Sequence, residues 1–502
     1  MQKDTQCLAD DLLGNKGFDK NKPSVTPALH PSIKRFLDNK ELVFSLIDGV
    51  GSPLNIIFPD HIVENIDKFE QVYKDRHLQG RIFYTSKPNK SLALKRRASM
   101  ASVGLDVSSE GEIKNGLAAG FHSSRIEATG PKSAEYLFLC IQHDILINVD
   151  NFSELKKIVE MHASLSLSRK VRILVRLDGF ESDLVKFTKQ DSAFGIRVSE
   201  ASQVLDFLID HKDVLEFQGF SFHFNAGDYI RRPIAIEQCL ELIFEAMNRG
   251  LSPKGIDIGG GYRIRYANSQ DEWNSYVETL KESVLGDRAS LTWNNSGLGF
   301  RKEEGLLKGA PNFMEHWHKE DGAGDLASVI DTPLKGFDNQ SLAKILSESL
   351  LELYVEPGRA MLDHCGITLG RVNMTKPSLM GETLVSLGMN RTNLNSTQLK
   401  LMTDPVVIYR DNGDRESAND GVFYVGNLCL THDMIQYQKT FPKYQLKDGD
   451  VVAFINTAAY QMDFAETKVL QQPLAQKIAI TELEENKFSW ALDENYNPFL
   501  NM

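Results

Sequence analysis

Cysteine is scarce in this chain. Its five cysteines, Cys7, Cys140, Cys239, Cys365 and Cys429, are widely spaced, odd in number and contain no CxxC pair. That pattern argues against both a disulfide framework and a cysteine zinc site, and leaves buried thiols as the expectation. Long apolar runs are missing too: no stretch of about 18 residues is apolar enough to span a bilayer. The first residues, MQKDTQCLADDLLGNKGFDKNKPS, lack a basic segment followed by an apolar one, so a secretory leader is not expected and a cytoplasmic, soluble protein is. Positive charge is in deficit, with 56 Lys and Arg against 68 Asp and Glu and a net charge of -12. An extended nucleic-acid surface needs the opposite balance, so a small-molecule partner is expected, with neither nucleic acid nor membrane. The one histidine pair, "HWH" at 316 to 318, has no third ligand nearby in sequence, and a solvated loop is expected there instead of a metal site. The basic run "LKRRAS" (94 to 99) reads as the solvated face of a helix.

What the chain does have is a rhythm. Apolar residues make up 42% and charged residues 25%, ordinary globular usage that is ample for two domains. Short β-branched segments recur at "IFYTS", "GLDVS", "RIEAT", "ILINVD", "VRILVRL", "FQGFSFHF", "GIDIG" and "LELYVE". Between most of them lie stretches with apolar residues at i, i+3 and i+4, such as "NFSELKKIVEMHASL" and "IAIEQCLELIFEAMNRG". Eight strands alternating with helices predict a closed (β/α)8 barrel ahead of an open doubly wound sheet. After about residue 365 the pattern changes to strand-like runs separated by turns, which predicts a mainly β domain. The expected division is a flexible extension over 1–25, a segment over 26–50 that joins the β domain through a strand at "ELVFSLI", a barrel over 51–365 and a β domain over 366–502. Residues 285–345 exceed what one strand-to-helix connection needs and read as an insertion near the barrel mouth.

In a barrel of this kind, chemistry sits at the C-terminal ends of the strands. Those ends are polar here: Lys87 after "FYTS", Asp106 in "GLDVSSEGE", Arg176 in "LVRLDG", His223 in "FSFHFNAG", Asp257 and Gly259 to Gly261 in "DIGGGY", Glu356 and Arg359 in "VEPGR". Glycines after a strand let backbone N–H groups approach a phosphate, and an arginine beside them adds a charge-assisted contact. An amine can condense with an aldehyde.

In this order, "FYTSKPN", "GLDVSSEGEI", "HFNAGD", "DIGGGY", "EPGRA", "GNLCLTHD" and "AAYQMDF" resemble the motifs of the fold-type III pyridoxal-phosphate enzymes, in particular the ornithine, diaminopimelate and arginine decarboxylases. The resemblance implies an alanine-racemase-like barrel, a homodimer with shared active sites and pyridoxal 5'-phosphate as cofactor. By it, Lys87 carries the cofactor, His223 stacks on its ring, and Glu356 pairs with the ring nitrogen. Gly260, Gly261, Gly358 and Arg359 lie at the phosphate, and Asp106, Arg176 and Tyr460 complete the site. Cys429 is implied as the acid that returns a proton to the substrate after carbon dioxide leaves, and Asp433 as a substrate contact. Several positions depart from the family pattern. Leu430 stands where an acidic residue usually meets the substrate's distal amine, Ala226 replaces a serine of the phosphate cup, Ala193 replaces a lysine, and Asp404-Pro405 replaces an Arg-Pro. The expected activity is decarboxylation of an amino acid or amino-acid conjugate. A racemase or epimerase on the same scaffold, or a non-catalytic decarboxylase-like regulator, are the alternatives.

Overall fold

The computed structural model describes residues 19, 21–181, 192–395, 399–411 and 413–500; most of the extension expected over 1–25 lies outside them. The chain forms two compact units. One gathers Ile62–Arg263 and Glu320–Met361; the other holds the described residues up to His61, Ile264–Lys319 and those from Leu362 onward.

The first unit is the barrel. Its strands are β1 (Gln79–Thr85), β2 (Gly104–Val107), β3 (Ile126–Ala128), β4 (Leu146–Val149), β5 (Val171–Asp178), β6 (Leu215–Ser221), β7 (Gly255–Asp257) and β8 (Glu352–Val355). Each pairs in parallel with its sequence neighbours, and β8 pairs with β1, which closes the sheet. Helices between the early strands start where a polar side chain caps them. Ser91 accepts from Leu94 N, Ser109 from Glu112 N, Ser133 from Tyr136 N and Asn151 from Glu154 N, each satisfying a donor that the first turn leaves without a helical partner. Phe83, Leu146, Leu174 and Tyr354 form an apolar cluster among the strands. The helix Leu92–Ser99 departs from expectation: Arg96 and Arg97 are half-exposed, but Lys95 is buried, because it lies one turn from the buried Ser91 and Ala98 on the inward face.

The second unit is an eight-stranded, largely antiparallel sheet. "ELVFSLI" is not one of its strands but part of the helix Lys40–Val50, capped by Asn39, which accepts from Leu42 N. Val43, Leu46 and Ile47 recur at helical spacing and bury against Ile367, Leu369, Val451 and Ile478. A run of seven with five apolar residues suits strand or helix equally, and here the cap decides. The early strand is instead Leu54–Ile57, antiparallel to Ile367 and its neighbours and parallel to Gln476–Ala479. The interval 285–345 is likewise not one loop. It holds the hairpin Phe300–Glu303 with Leu306–Gly309 and the helices Gly322–Asp331 and Leu342–Ser349, divided between the units at residues 319 and 320. His316 is not in a solvated loop. It is fully buried, stacks on Trp273 at 4.8 Å, and its Nε2 accepts Met402 N at 2.9 Å.

Among the described residues no helix is long and apolar enough to cross a membrane. Cys140, Cys239 and Cys365 are buried thiols and Cys429 is exposed.

One position limits the barrel sharply. At Gly219 the register between β5 and β6 slips, φ is +144°, and a Cβ would stand 1.9 Å from the Gly255 carbonyl oxygen of β7. Gly219→Ala should therefore lower the unfolding free energy by roughly 3 kcal/mol, visible as a reduced thermal midpoint of the cofactor-free chain.

Candidate active site

The strand ends of the barrel are tied to one another by backbone and side-chain bonds, and these place the polar residues. Thr85, closing β1, donates its hydroxyl to Glu356 O at 2.9 Å, Ser86 N donates to Asp106 O at 2.9 Å, and Glu356 N donates to Gly259 O at 3.0 Å. β1 runs into four consecutive buried residues, Ile82 to Thr85. Pro88 then ends the pairing, and between the buried Ser86 and Pro88 the Lys87 side chain is exposed.

Around it the structure brings together Asp106, His223, Glu356 and Arg176, on the ends of four different strands. The carboxylate of Glu356 lies 3.4 Å from His223 Nδ1, which also receives Gly260 N–H at 3.2 Å. One nitrogen cannot serve both. With Nδ1 unprotonated the ring accepts from Gly260, and with a proton on Nδ1 it donates to Glu356. Burial pushes the His223 pKa down, against the pull of Glu356. The half-exposed Arg176 lies over the Phe194 ring at 4.9 Å.

Carboxyl groups crowd the same region. One oxygen each from Glu127, Asp257 and Glu356 lie within 4.8 Å of one another, with Asp106 adjacent. Burial raises Asp257 and Glu127 well above the usual carboxylate range, and the Glu356 charge adds to the shift. Burial and the Glu356 charge lift Asp106 to about 7, opposed by the hydroxyl of Thr129 and the Lys87 charge. For Glu356 burial acts in the same direction, but the His223 hydrogen bond and the charges of His223, Arg176 and Lys87 outweigh it and hold its pKa below the usual value. One carboxylate of the group is thus kept charged while burial favours the protonated form of the others.

Opposite this cluster the DIGGGY segment forms a tight loop. Asp257 Oδ1 accepts Gly259 N at 2.7 Å. A Cβ at Gly260 would meet Glu356 O at 2.4 Å, and one at Gly261, where φ is +82°, would meet Phe224 O at 2.3 Å. Arg359 is half-exposed and Gly358 buried, directly after Glu356. An exposed amine, an ionised carboxylate beside an imidazole, and a cradle that only glycine can form fit a phosphorylated aldehyde of the pyridoxal type. Lys87, Glu356 and the Gly259–Gly261 loop are the groups that would hold it.

The remaining sequence-predicted residues lie in the second unit. Cys429 and Leu430 are exposed. Tyr460 is half-buried, its φ is +67°, and its ring meets Phe464 edge-on at 5.6 Å. Asp433, expected at the substrate, is 4% exposed and clamps its own loop: its two oxygens accept Arg391 N at 2.9 Å and Leu428 N at 2.8 Å. Two further site residues escape sequence reasoning. Glu127 is fully buried, accepts Asn148 Nδ2 at 2.9 Å, and leaves its Oε2 without a partner, as does Asp257 Oδ2. An acid inside the apolar strand "IEA" is the signal that could have found it. The other residue is Arg232, on the helix Arg231–Asn248.

The raised Asp106 pKa has a sign. Between about pH 4 and about 7 the folded chain binds a proton there that the unfolded chain has released, so stability falls as pH rises through that window. Asp106→Asn should flatten this part of the stability profile of the cofactor-free chain, measured by denaturant unfolding at stepped pH.

The sequence of residues 59–292 matches the pyridoxal binding domain of the pyridoxal-dependent decarboxylases. An uncharacterized protein, y4yA, of Sinorhizobium fredii is 27% identical over 89% of this chain and 91% of its own length. The diaminopimelate decarboxylase of Bacillus subtilis is 24% identical over 84% of each chain. The diaminopimelate decarboxylase of M. jannaschii, solved in co-complex with L-lysine, has the same fold, with a TM-score of 0.65 at 17% identity over 92% of this chain and 95% of that one. Closed barrel, glycine loop and matching pyridoxal binding domain agree, and over the barrel the chain is similar to the pyridoxal-dependent decarboxylases.

Proposed function

We propose that this chain removes the α-carboxylate of an amino acid, or of an amino acid carried within a conjugate, as carbon dioxide. The observation that carries the reading is the one carboxylate kept ionised at the barrel mouth, Glu356, 3.4 Å from His223 Nδ1 and joined by its backbone to the glycine loop. Pyridoxal phosphate, when bound, supplies an aromatic ring that accepts the electrons left as carbon dioxide departs. Lys87 offers the amine that would hold the aldehyde. Glu356, held as an anion, would favour a proton on a ring nitrogen, and His223 would help to hold the ring. Gly260, Gly261, Gly358 and Arg359 take the phosphate, while Asp106 and Arg176 set the charge around Lys87 and Glu356. The enzyme works in the cytoplasm as a homodimer, in which Cys429 Sγ of a second copy delivers the proton to the α-carbon and Tyr460 completes the site. Asp433 acts by holding the turn that carries Cys429.

Substrate class follows from the same loop. Leu430, 48% exposed, has no charge to offer a distal ammonium, so the substrate side chain is larger or uncharged at that point.

Lys87→Ala should abolish the visible absorbance of the bound cofactor together with carbon dioxide release. Cys429→Ala should keep the absorbance and lower turnover by about a hundredfold. A panel of amino acids and conjugates, assayed for carbon dioxide in deuterated water, checks the reaction itself: decarboxylation gives an amine deuterated at the former α-carbon. Deuterium exchange at the α-carbon with no carbon dioxide from any substrate would sink the proposal and favour a racemase, and turnover of free ornithine or diaminopimelate above all conjugates would sink the assignment of substrate class.

A further inference from the structure

Arg232 is a cation that the local structure does not ask for. It sits in the first turn of the helix Arg231–Asn248, which has no acidic residue in that turn, where the helix dipole disfavours positive charge, and the Asp228 carboxylate just ahead of the helix is engaged by Arg231, whose N–H it accepts at 3.2 Å and whose guanidinium it pairs with. It is also 3% exposed. Among the described residues no carboxylate pairs with it. Its guanidinium donates instead to two carbonyls of one loop, Nη1 to Ile258 O and Nη2 to Gly260 O, each at 2.9 Å, and lies over the Tyr262 ring at 5.7 Å. A buried charge without a counter-ion is expensive, and a helix N-terminus that accepts both penalties breaks a local rule of the kind that functional sites break.

The two carbonyls show what the charge acts on. They belong to the peptides whose N–H groups are those of Gly259 and Gly261. Gly259 N–H is used, on Asp257 Oδ1, and Gly260 N–H is used, on His223 Nδ1. Gly261 N–H has no acceptor among the described residues. A cation at the oxygen of a peptide makes its N–H a stronger donor, so Arg232 sharpens the one donor of the loop that remains open.

We propose that Arg232 is a positioning residue that supplies the buried positive charge of the phosphate cup and acts through the Gly260–Gly261 peptide, without touching the phosphate. It takes over from the hydroxyl that Ala226 lacks. This rests on the reading of the Gly259–Gly261 loop as the phosphate cradle. The charge is placed behind the loop, where it also fixes the loop's shape by two bonds, and a dianion in front of the loop is the missing counter-ion.

Two ligands that share the aldehyde and differ in the phosphate separate charge from shape. The full-length chain, stripped of cofactor, is titrated with pyridoxal phosphate and with pyridoxal, and inorganic phosphate is used as competitor. The unaltered chain should bind pyridoxal phosphate at least about a hundredfold more tightly than pyridoxal. Arg232→Gln, which keeps a hydrogen-bond donor and loses the charge, should weaken pyridoxal phosphate about tenfold or more, leave pyridoxal within about threefold, and weaken competition by inorganic phosphate. Arg232→Lys, which keeps the charge, should restore most of the lost preference. Unchanged affinity for pyridoxal phosphate in Arg232→Gln overturns the inference. So does an equal loss for both ligands in either variant, which is what a purely structural arginine would give. No preference for the phosphorylated ligand in the unaltered chain overturns the cradle reading itself and the inference with it.

Discussion

The barrel mouth is governed by a shortage of room for negative charge. Asp106, Glu127, Asp257 and Glu356 end four of the strands or lie within them, and one oxygen from each of the last three falls within 4.8 Å of the other two. Charges at such separations in a poorly solvated interior repel strongly enough that they do not all ionise at neutral pH. Which one keeps its charge is set by where the cations are. Lys87, Arg176 and the His223 ring all act on Glu356, whereas Glu127 has the amide of Asn148, and Asp257 has the Gly259 N–H and a weaker pull from Arg176 that burial outweighs. The anion is thereby placed at the end of the last strand, and its position there follows from the closure of β8 onto β1. A change that opened that closure would move Glu356 away from the only groups that keep it ionised.

The same carboxyl crowd explains why the strand ends are bonded so densely. Thr85 to Glu356, Ser86 to Asp106 and Glu356 to Gly259 each join neighbouring strands one residue past the regular ladder. Groups whose protonation depends on separations of a few ångströms are held by backbone contacts instead of by mobile side chains, the condition for a preorganised site. The glycines serve this end. A Cβ at Gly260 would collide with the backbone carbonyl of Glu356 itself, so the loop and that strand end keep their spacing only while position 260 lacks a side chain.

Much of this was legible in the sequence, for identifiable reasons. The eight strands stood out because β-branched runs alternate with helical spacing, and the capping residues Ser91, Ser109, Ser133 and Asn151 are visible as letters. Lys87, His223, Glu356 and the glycines were legible as polar residues at apolar strand ends. "ELVFSLI" was not legible as a helix, since five apolar residues in a run of seven fit a strand as well as a helix. His316 and Lys95 looked like surface residues because what buries them comes from tertiary packing, Trp273 and Met402 for the first. Asp433 was visible as an acid, but its task depends on two backbone donors, one of them 42 residues away at Arg391. Arg232 was hidden most completely: its partners are carbonyls, which every residue has, so no letter of the sequence marks them.

Three of the positions at which the chain departs from the decarboxylase motifs face solvent. Ala193, Ala226 and Leu430 are all exposed, and each replaces a charged or hydroxylated residue with an apolar one. The groups that cannot be varied without disturbing the charge balance, Lys87, Asp106, Asp257 and Glu356, are all present. A chain drifting away from catalysis has no reason to spare the buried acids, which are costly to keep and contribute nothing once the cofactor is lost. In a barrel of this kind recognition resides in loops and the chemistry in strand ends held by the barrel. Arg176 shows the join between the two: its charge acts on Glu356, while the ring of Phe194, next to Ala193, lies 4.9 Å from its guanidinium. A loop that has lost its lysine therefore still presses an aromatic ring on the arginine of the interior, and substitutions in that loop reach the ionised carboxylate through it.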